Sequence, residues 1–290
     1  MSVLCEITSR RTVADGVVEL ELAGPLPPWT PGAHVDLHLA PGLVRQYSLV
    51  GPGFRIAVLR EPASRGGSAH VHDRLRVGDR IEVDGPRNRF PLVPAERYLF
   101  VAGGIGITPI LSMIAEAEAA RADWRLLYGG RSRESMAYLD RLDDPRVTVV
   151  TGGLLDLHGA VSASPAATVY GCGPAPMLDA LLAVCPTAHV ERFTPVEVDL
   201  PERPFEAVLE RTGVTVPVPA GTSLLDAAEA AGADVVASCR EGTCGTCETA
   251  VLDGDPEHRD SVLDEADRAA GDVMLICVSR ARGPRLVLDL

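Results

Sequence analysis

The sequence predicts a multidomain chain: an antiparallel β-barrel, a doubly wound α/β domain, and a small C-terminal module built around a cysteine cluster. Three observations predict it. At 290 residues the chain exceeds what one hydrophobic core usually serves. Near residue 96 its texture changes from short strands to strand, glycine turn and helix. Three of its seven cysteines then crowd into "SCREGTCGTC".

The N-terminal stretch reads as "VVELEL", "HVDLHLA", "QYSLV", "RIAVL" and "RIEVDGP", short runs punctuated by Pro and Gly, the pattern of an antiparallel barrel or sandwich. From Tyr98 onward, "YLFVAGGIGITPILSMIAEAEAA", "WRLLYGG", "RVTVV", "ATVYGCG" and "PAPMLDALLAV" alternate strand and helix, which argues for a parallel sheet. "RFTPVEVDLPERP" is a Pro-rich linker. Beyond it "FEAVLERTGVTVPVPAG" reads as a hairpin and "SLLDAAEAAG" as a short helix capped by Ser or Thr. The expected boundaries are 1–95, 96–194, a linker at 195–204, and 205–290.

Composition is that of a globular protein, with 46% hydrophobic and 23% charged residues, which excludes a disordered or collagen-like chain. The N-terminus lacks a basic stretch followed by an apolar core, and no long apolar run predicts a membrane span, so a cytoplasmic protein is expected. In a reducing compartment, seven cysteines read as ligands, reactive thiols or core residues rather than disulfides. Net charge is −13, and residues 196–290 hold most of it, with 19 Asp and Glu against 8 Arg. Such a surface disfavours nucleic acid and anionic membranes and suits either solubility or a basic protein partner. A monomer is expected.

Cys239, Cys244 and Cys247 stand at CxxxxCxxC spacing, and Cys277 follows in "MLICVSRA". Three thiolates on one tight loop and a fourth from a distant segment suit a pair of bridged irons. Gly242 and Gly245 would let the loop turn backbone amides toward the sulfurs. A zinc site is the alternative, although structural zinc usually draws on two CxxC pairs and only Cys244 and Cys247 form one. Cys5 and Cys185 read as small apolar residues.

"VAGGIGITPI" follows an apolar strand and opens a helix, with Thr108 expected at the N-cap and Pro109 at the first helical position. Gly103, Gly104 and Gly106 permit a phosphate to approach the helix start, though the turn lacks the usual GxGxxG and is a weak signal alone. His34, Asp36 and His38 alternate with apolar residues on one strand face. Two His and an Asp could ligate a metal, but a polar outer face of a half-buried strand is the better reading.

The plant-type 2Fe-2S ferredoxins share the cysteine spacing, and residues 205–290 resemble a complete module of that kind, with a β-grasp fold. "RQYSL" at 45–49, "SRGGS" at 64–68 and "GCGPAPM" at 171–177 occur in the order found in the ferredoxin-NADP reductase superfamily. The whole chain resembles the phthalate dioxygenase reductase and vanillate demethylase reductase family. The resemblance implies a flavin domain, a nicotinamide domain and a ferredoxin domain. It implies that Arg45, Gln46, Tyr47 and Ser48 line the flavin, with Tyr47 packed on the ring and Ser48 near N5, the strand around Val58 beside the ribityl chain, and Gly66, Gly67, Ser68 and Arg45 at the phosphate. The "RGGS" turn favours FMN over FAD.

By the same resemblance, Gly103, Gly104, Gly106 and Thr108 meet the nicotinamide cofactor. Cys172, with Gly173 beside it, lies near the nicotinamide's reactive carbon as a positioning group rather than a nucleophile. Phe193 packs against the flavin, or else tucks between domains. Arg131 and Arg133 fall where the adenine ribose would be read; NADH is preferred and the Arg pair leaves NADPH open. The implied function is electron transfer from NAD(P)H through FMN and a 2Fe-2S cluster, held by Cys239, Cys244, Cys247 and Cys277, to a separate oxygenase. That acceptor is a Rieske-type oxygenase or demethylase, or a haem-thiolate monooxygenase. Two other readings are a metal-stabilised regulator without turnover and a general flavin or iron reductase.

Overall fold

The computed structural model describes every residue except Met1, Ala63 and Glu197, so the linker residue Glu197 lies outside the described residues. The chain divides into two compact units, 1–191 and 192–290.

The first unit begins with six strands, β1 (Val3–Ala14), β2 (Val17–Ala23), β3 (His34–Ala40), β4 (Leu43–Ser48), β5 (Arg55–Leu59) and β6 (Arg80–Arg87), with α1 (Gly67–Asp73) between the last two. They pair antiparallel in the order β4-β3-β6-β1-β2-β5. A bridge from Leu49 to Ile56 brings the β4 end toward β5, which curls the sheet into a half-barrel. Leu20, Val35, Leu37, Ile56 and Val83 fill it with almost no exposure.

The expected polar outer face on β3 is not what forms. His34 and Asp36 are 4% and 1% exposed. Central position explains this: β3 lies between β4 and β6, and Arg87 from β6 reaches over to bond the Asp36 carboxylate. Only His38 stays partly open, 2.7 Å from Asp84.

The second half of this unit runs β7 (Arg97–Gly103), α2 (Ile107–Ala119), β8 (Asp123–Gly130), β9 (Val147–Thr151), α3 (Leu157–Ser162), β10 (Thr168–Cys172), α4 (Ala175–Val184) and β11 (His189–Glu191). All strand pairs are parallel, in the order β11-β10-β7-β8-β9. The strands β7, β8 and β9 step one way and β10 returns to the other side of β7. The crevice beyond the C-terminal ends of β7 and β10 is therefore the topological switch point, where open α/β sheets bind ligands.

The second unit contains β12 (Phe205–Leu209), β13 (Val214–Val218), α5 (Leu224–Ala230), β14 (Glu248–Asp253), β15 (Pro256–Glu257), α6 (Glu265–Ala270), β16 (Val273–Leu275), β17 (Arg280–Ala281) and β18 (Arg285–Leu288). The mixed sheet β13-β12-β18-β14-β16 carries α5, a β-grasp arrangement. Ser223 caps α5 by accepting the Asp226 amide at 3.0 Å, as the sequence predicts. Among the described residues, no helix is long and apolar enough to cross a membrane.

Candidate functional site

Cys239, Cys244 and Cys247 lie on the loop between α5 and β14, and Cys277 on the turn between β16 and β17. The loop curls because Arg240, Gly242 and Gly245 adopt φ of 57°, 71° and 74°. Gly242 is needed on a second ground: a Cβ there would stand 2.6 Å from Val278 and 3.1 Å from the Asp260 backbone. Asp260 is nearly fully buried and braces this contact, its Oδ1 accepting the Val262 and Leu263 amides at 2.9 and 2.8 Å while the Ser261 amide donates to the Gly242 carbonyl at 2.9 Å.

The Glu241 amide donates to Cys239 Sγ and the Thr246 amide to Cys244 Sγ, each at 3.3 Å. Cys239 interacts with Cys244 and Cys277, and Cys277 with Cys247. Hydrogen bonds from its two neighbours hold the Cys239 thiol well below the ordinary thiol range. Among the described residues no three His, Cys, Asp or Glu side chains converge on a single metal ion. The donor set is four soft ligands linked in a row, Cys244 to Cys239 to Cys277 to Cys247, two of them receiving backbone amides, and a row of this kind fits two bridged irons rather than one ion.

In the half-barrel, Arg45, Gln46, Tyr47 and Ser48 are consecutive on β4. Arg45 reaches twenty residues along the chain: its Nη2 donates to the Arg65 carbonyl at 2.9 Å and its Nη1 to the Val44 carbonyl at 2.8 Å. Its stem lies on Gly67, where a Cβ would stand 2.5 Å from Arg45 Cγ. Gly66, at φ 91°, turns the chain into α1, and Ser68 Oγ accepts the Glu61 amide at 3.1 Å. Arg45 and the 66–68 turn are thus brought together, as expected. Ser48 is buried and Tyr47 half-buried, with burial raising the Tyr47 phenol pKa against the lowering effect of Arg45. Gln46 Nε2 is buried with no hydrogen-bond partner, an orphan donor that a polar ring edge would satisfy. These features fit a flavin phosphate at one end and its ring at the other. The Val58 side chain belongs to the barrel core, so this residue offers a ligand its backbone only.

At the switch point two turns pack against each other. A Cβ on Gly106 would stand 2.2 Å from the Cys172 carbonyl, one on Gly103 2.6 Å from Pro174, and one on Gly173 2.7 Å from Met177. These three glycines are therefore required by turn-on-turn contact. Gly104, at φ 54°, faces open space and is the one a phosphate could approach. Thr108 does not cap α2. A 3-10 turn at 104–106 precedes the helix, Gly106 occupies the N-cap, and Thr108 sits buried inside the first turn with Oγ1 donating to the Ile105 carbonyl at 2.9 Å. Pro109 is correspondingly the third helical residue, two positions later than expected.

Cys172 is fully buried, and its Sγ lies 3.8 Å from Glu191 Oε2. Burial pushes the thiol well up and the Glu191 carboxyl to about 8. Glu191 escaped the sequence reading because it stands nineteen residues away; the available signal was that β10 and β11 pair in register at these two positions. Arg131 and Arg133 follow β8 and are exposed. Phe193, in the second unit, is 42% exposed.

Residues 207–282 match the family of 2Fe-2S iron-sulfur cluster binding domains, and residues 100–149 the oxidoreductase NAD-binding domain. Together with the half-barrel they define a nicotinamide-dependent iron-sulfur flavoprotein oxidoreductase. Phenoxybenzoate dioxygenase subunit beta of Ectopseudomonas oleovorans is 45% identical over 96% of this chain and 94% of its own length. The crystal structure of phthalate dioxygenase reductase aligns over 100% of this chain and 98% of its own, at 35% identity and a TM-score of 0.71. The chain belongs to the phthalate dioxygenase reductase-like family, the reductase components of oxygenase systems. An intact type IV self-sufficient cytochrome P450 monooxygenase contains a similar region, at 41% identity and a TM-score of 0.92 over 100% of this chain. This chain spans 41% of that longer one.

Proposed function

We propose that this chain accepts electrons from NADH, with NADPH a second donor, and delivers them through FMN and a 2Fe-2S cluster to a separate oxygenase in the cytoplasm. The observation that carries the reading is that one polypeptide holds both a glycine-packed switch-point crevice and four thiols linked in a row. The domain division is 1–95 for flavin, 96–194 for nicotinamide, a linker at 195–204, and 205–290 for the cluster, in a monomer.

When bound, the cofactors would convert the electron pair of one hydride from nicotinamide into single electrons. The protein's part is to hold them. Cys239, Cys244, Cys247 and Cys277 would hold the cluster, and the amides of Glu241 and Thr246 would stabilise the charge on sulfur. Arg45 with Gly66, Gly67 and Ser68 would hold the flavin phosphate by charge-assisted and backbone hydrogen bonds. Gln46, Tyr47 and Ser48 would meet the ring. Gly103, Gly104, Gly106, Thr108, Cys172 and Gly173 would shape the nicotinamide crevice, and Arg131 and Arg133 the adenine ribose end. FMN is favoured by the short Arg-Gly-Gly-Ser turn, which supplies a site for one terminal phosphate.

A Rieske-type oxygenase or demethylase is the preferred acceptor. A plant-type cluster near about −400 mV feeding a Rieske centre at about −150 mV or above has roughly four decades of driving force. The likeness to a P450 monooxygenase supports a haem-thiolate acceptor as the second reading.

The test is an anaerobic visible spectrum before and after one equivalent of NADH, with the released flavin identified by mass. Prompt bleaching of flavin and cluster bands together supports the reading. A protein that stays colourless after reconstitution with FMN, iron and sulfide overturns it. A Rieske protein and a haem-thiolate protein offered in competition then distinguish the acceptors.

A further inference from the structure

Arg280, the first residue of β17, is 4% exposed and stands three residues beyond Cys277. Its guanidinium is held by backbone carbonyls alone: Nη1 donates to Thr222 at 2.7 Å, and Nη2 to Pro219 at 2.9 Å and Arg203 at 3.0 Å. Its Nε is buried without a partner, and the guanidinium carbon lies 5.3 Å from the Phe205 ring centroid. Nearby carboxylates are committed elsewhere. Glu257 bonds Arg259, while Glu202, half-exposed, accepts the Gly221 amide. Arg280 and Cys277 line the same cavity of about 520 Å³.

Among the described residues no carboxylate forms an ion pair with Arg280, although Glu202 and Glu257 attract its charge from farther off, and a cation buried in this way is costly to desolvate. Guanidinium does not lose its proton in proteins, so the charge is permanent. An iron-sulfur cluster gains one negative charge on reduction, and its potential responds to nearby charge and burial. Resting on the reading of Cys277 as a cluster ligand, we propose that Arg280 raises the reduction potential of the cluster by holding a buried positive charge on the wall of the cavity that Cys277 also lines. Arg280 is thereby a tuning residue for the electron exit and touches no substrate.

The test is a redox titration of the cluster in the full-length holoprotein, followed by electron paramagnetic resonance, with thermal melting alongside. Arg280→Gln removes the charge and is expected to weaken cluster reduction about tenfold, which is ~59 mV for one electron. Arg280→Lys keeps the charge but loses the fork to three carbonyls, so it is expected to melt earlier at a potential near wild type. An unchanged potential in Arg280→Gln, or an equal fall in Arg280→Lys, overturns the proposal. Should Arg280→Gln not hold a cluster, Thr222→Asp decides: it leaves Arg280 in place, puts a carboxylate on the same cavity, and must lower the potential. If wild type itself shows no 2Fe-2S signal after reconstitution, the ligand assignment fails instead.

Discussion

The Tyr138 hydroxyl donates to Glu19 Oε2 at 2.8 Å, joining the loop after β8 to strand β2 of the half-barrel. Arg11 donates to the other oxygen at 2.6 Å, and Arg141 lies 4.9 Å over the Tyr138 ring. The Asp15 amide adds a bond to the Glu134 carbonyl at 2.7 Å. Glu19 is buried, so the carboxylate is kept ionised against desolvation only by these donors.

Tyr138→Phe is therefore expected to destabilise the first unit by about 1–3 kcal/mol, the cost of a buried acceptor left short of a partner. Burial raises the Glu19 pKa, but the bonds from Arg11 and Tyr138 outweigh it and the net shift is downward. A lowered folded pKa stabilises above the unfolded value and is lost as pH falls through the folded one. Thermal melts between pH 3 and 7 should show acid sensitivity setting in below about 4.5, and a smaller loss over the same range in the variant, whose carboxylate has one donor fewer. Identical acid profiles would remove Tyr138 from the account.

Gly106→Ala is expected to abolish flavin reduction by NADH while leaving the cluster spectrum intact, because a Cβ cannot sit 2.2 Å from the Cys172 carbonyl without separating the two turns. Gly104→Ala meets open space and bears only the left-handed backbone penalty of about 1–2 kcal/mol. Stopped-flow reduction of both variants separates the effects; equal rates would mean that turn contact does not shape the crevice.

Much of this was legible in the sequence. "HVDLHLA" and "RIAVL" coincide with β3 and β5, because short β-rich runs bounded by Pro and Gly mark strands even where, as on β3, both faces are buried. The twelve-residue β1 is not among the predicted strands: bulges between Ile7 and Ser9 and between Thr12 and Ala14 break its alternation. The inward burial of His34 and Asp36 was illegible because strand order is not written locally. The glycines of 103–106 were seen, but a ligand was credited with what packing against residues 172–174 mostly demands. Glu191 and Arg280 depend on pairings far along the chain, which spacing alone does not reveal.

Gly67→Ala should loosen the flavin. Its Cβ would meet Arg45 Cγ, close to the backbone and unable to swing clear as a side-chain tip would, so the guanidinium must leave its carbonyl anchors on Val44 and Arg65. Flavin dissociation measured by fluorescence is expected to rise at least about tenfold, equivalent to the loss of one charge-assisted bond. Arg45→Lys should do the same, since an ammonium cannot reproduce the fork. Full flavin retention in both would place the phosphate elsewhere.

Glu191 supplies a pH signature of opposite sign to that of Glu19. Burial against the neutral Cys172 thiol lifts its carboxyl from about 4.5 to about 8, so the folded chain holds a proton that the unfolded chain releases in that window. Stability contributed by the neutral acid is complete below the unfolded value and is lost as pH rises through the folded one. Stability, followed by thermal melting, should therefore fall between about pH 4.5 and 8, by an amount on the order of a few kcal/mol, and level off above. Glu191→Gln keeps the shape and the hydrogen-bonding capacity beside Cys172 but cannot ionise, so its melting profile should be flatter across the same range and its advantage over wild type greatest at pH 8 and above. A variant that tracks wild type across the whole range would mean that Glu191 is ionised in the folded chain, and that another cation or water neutralises it beside Cys172.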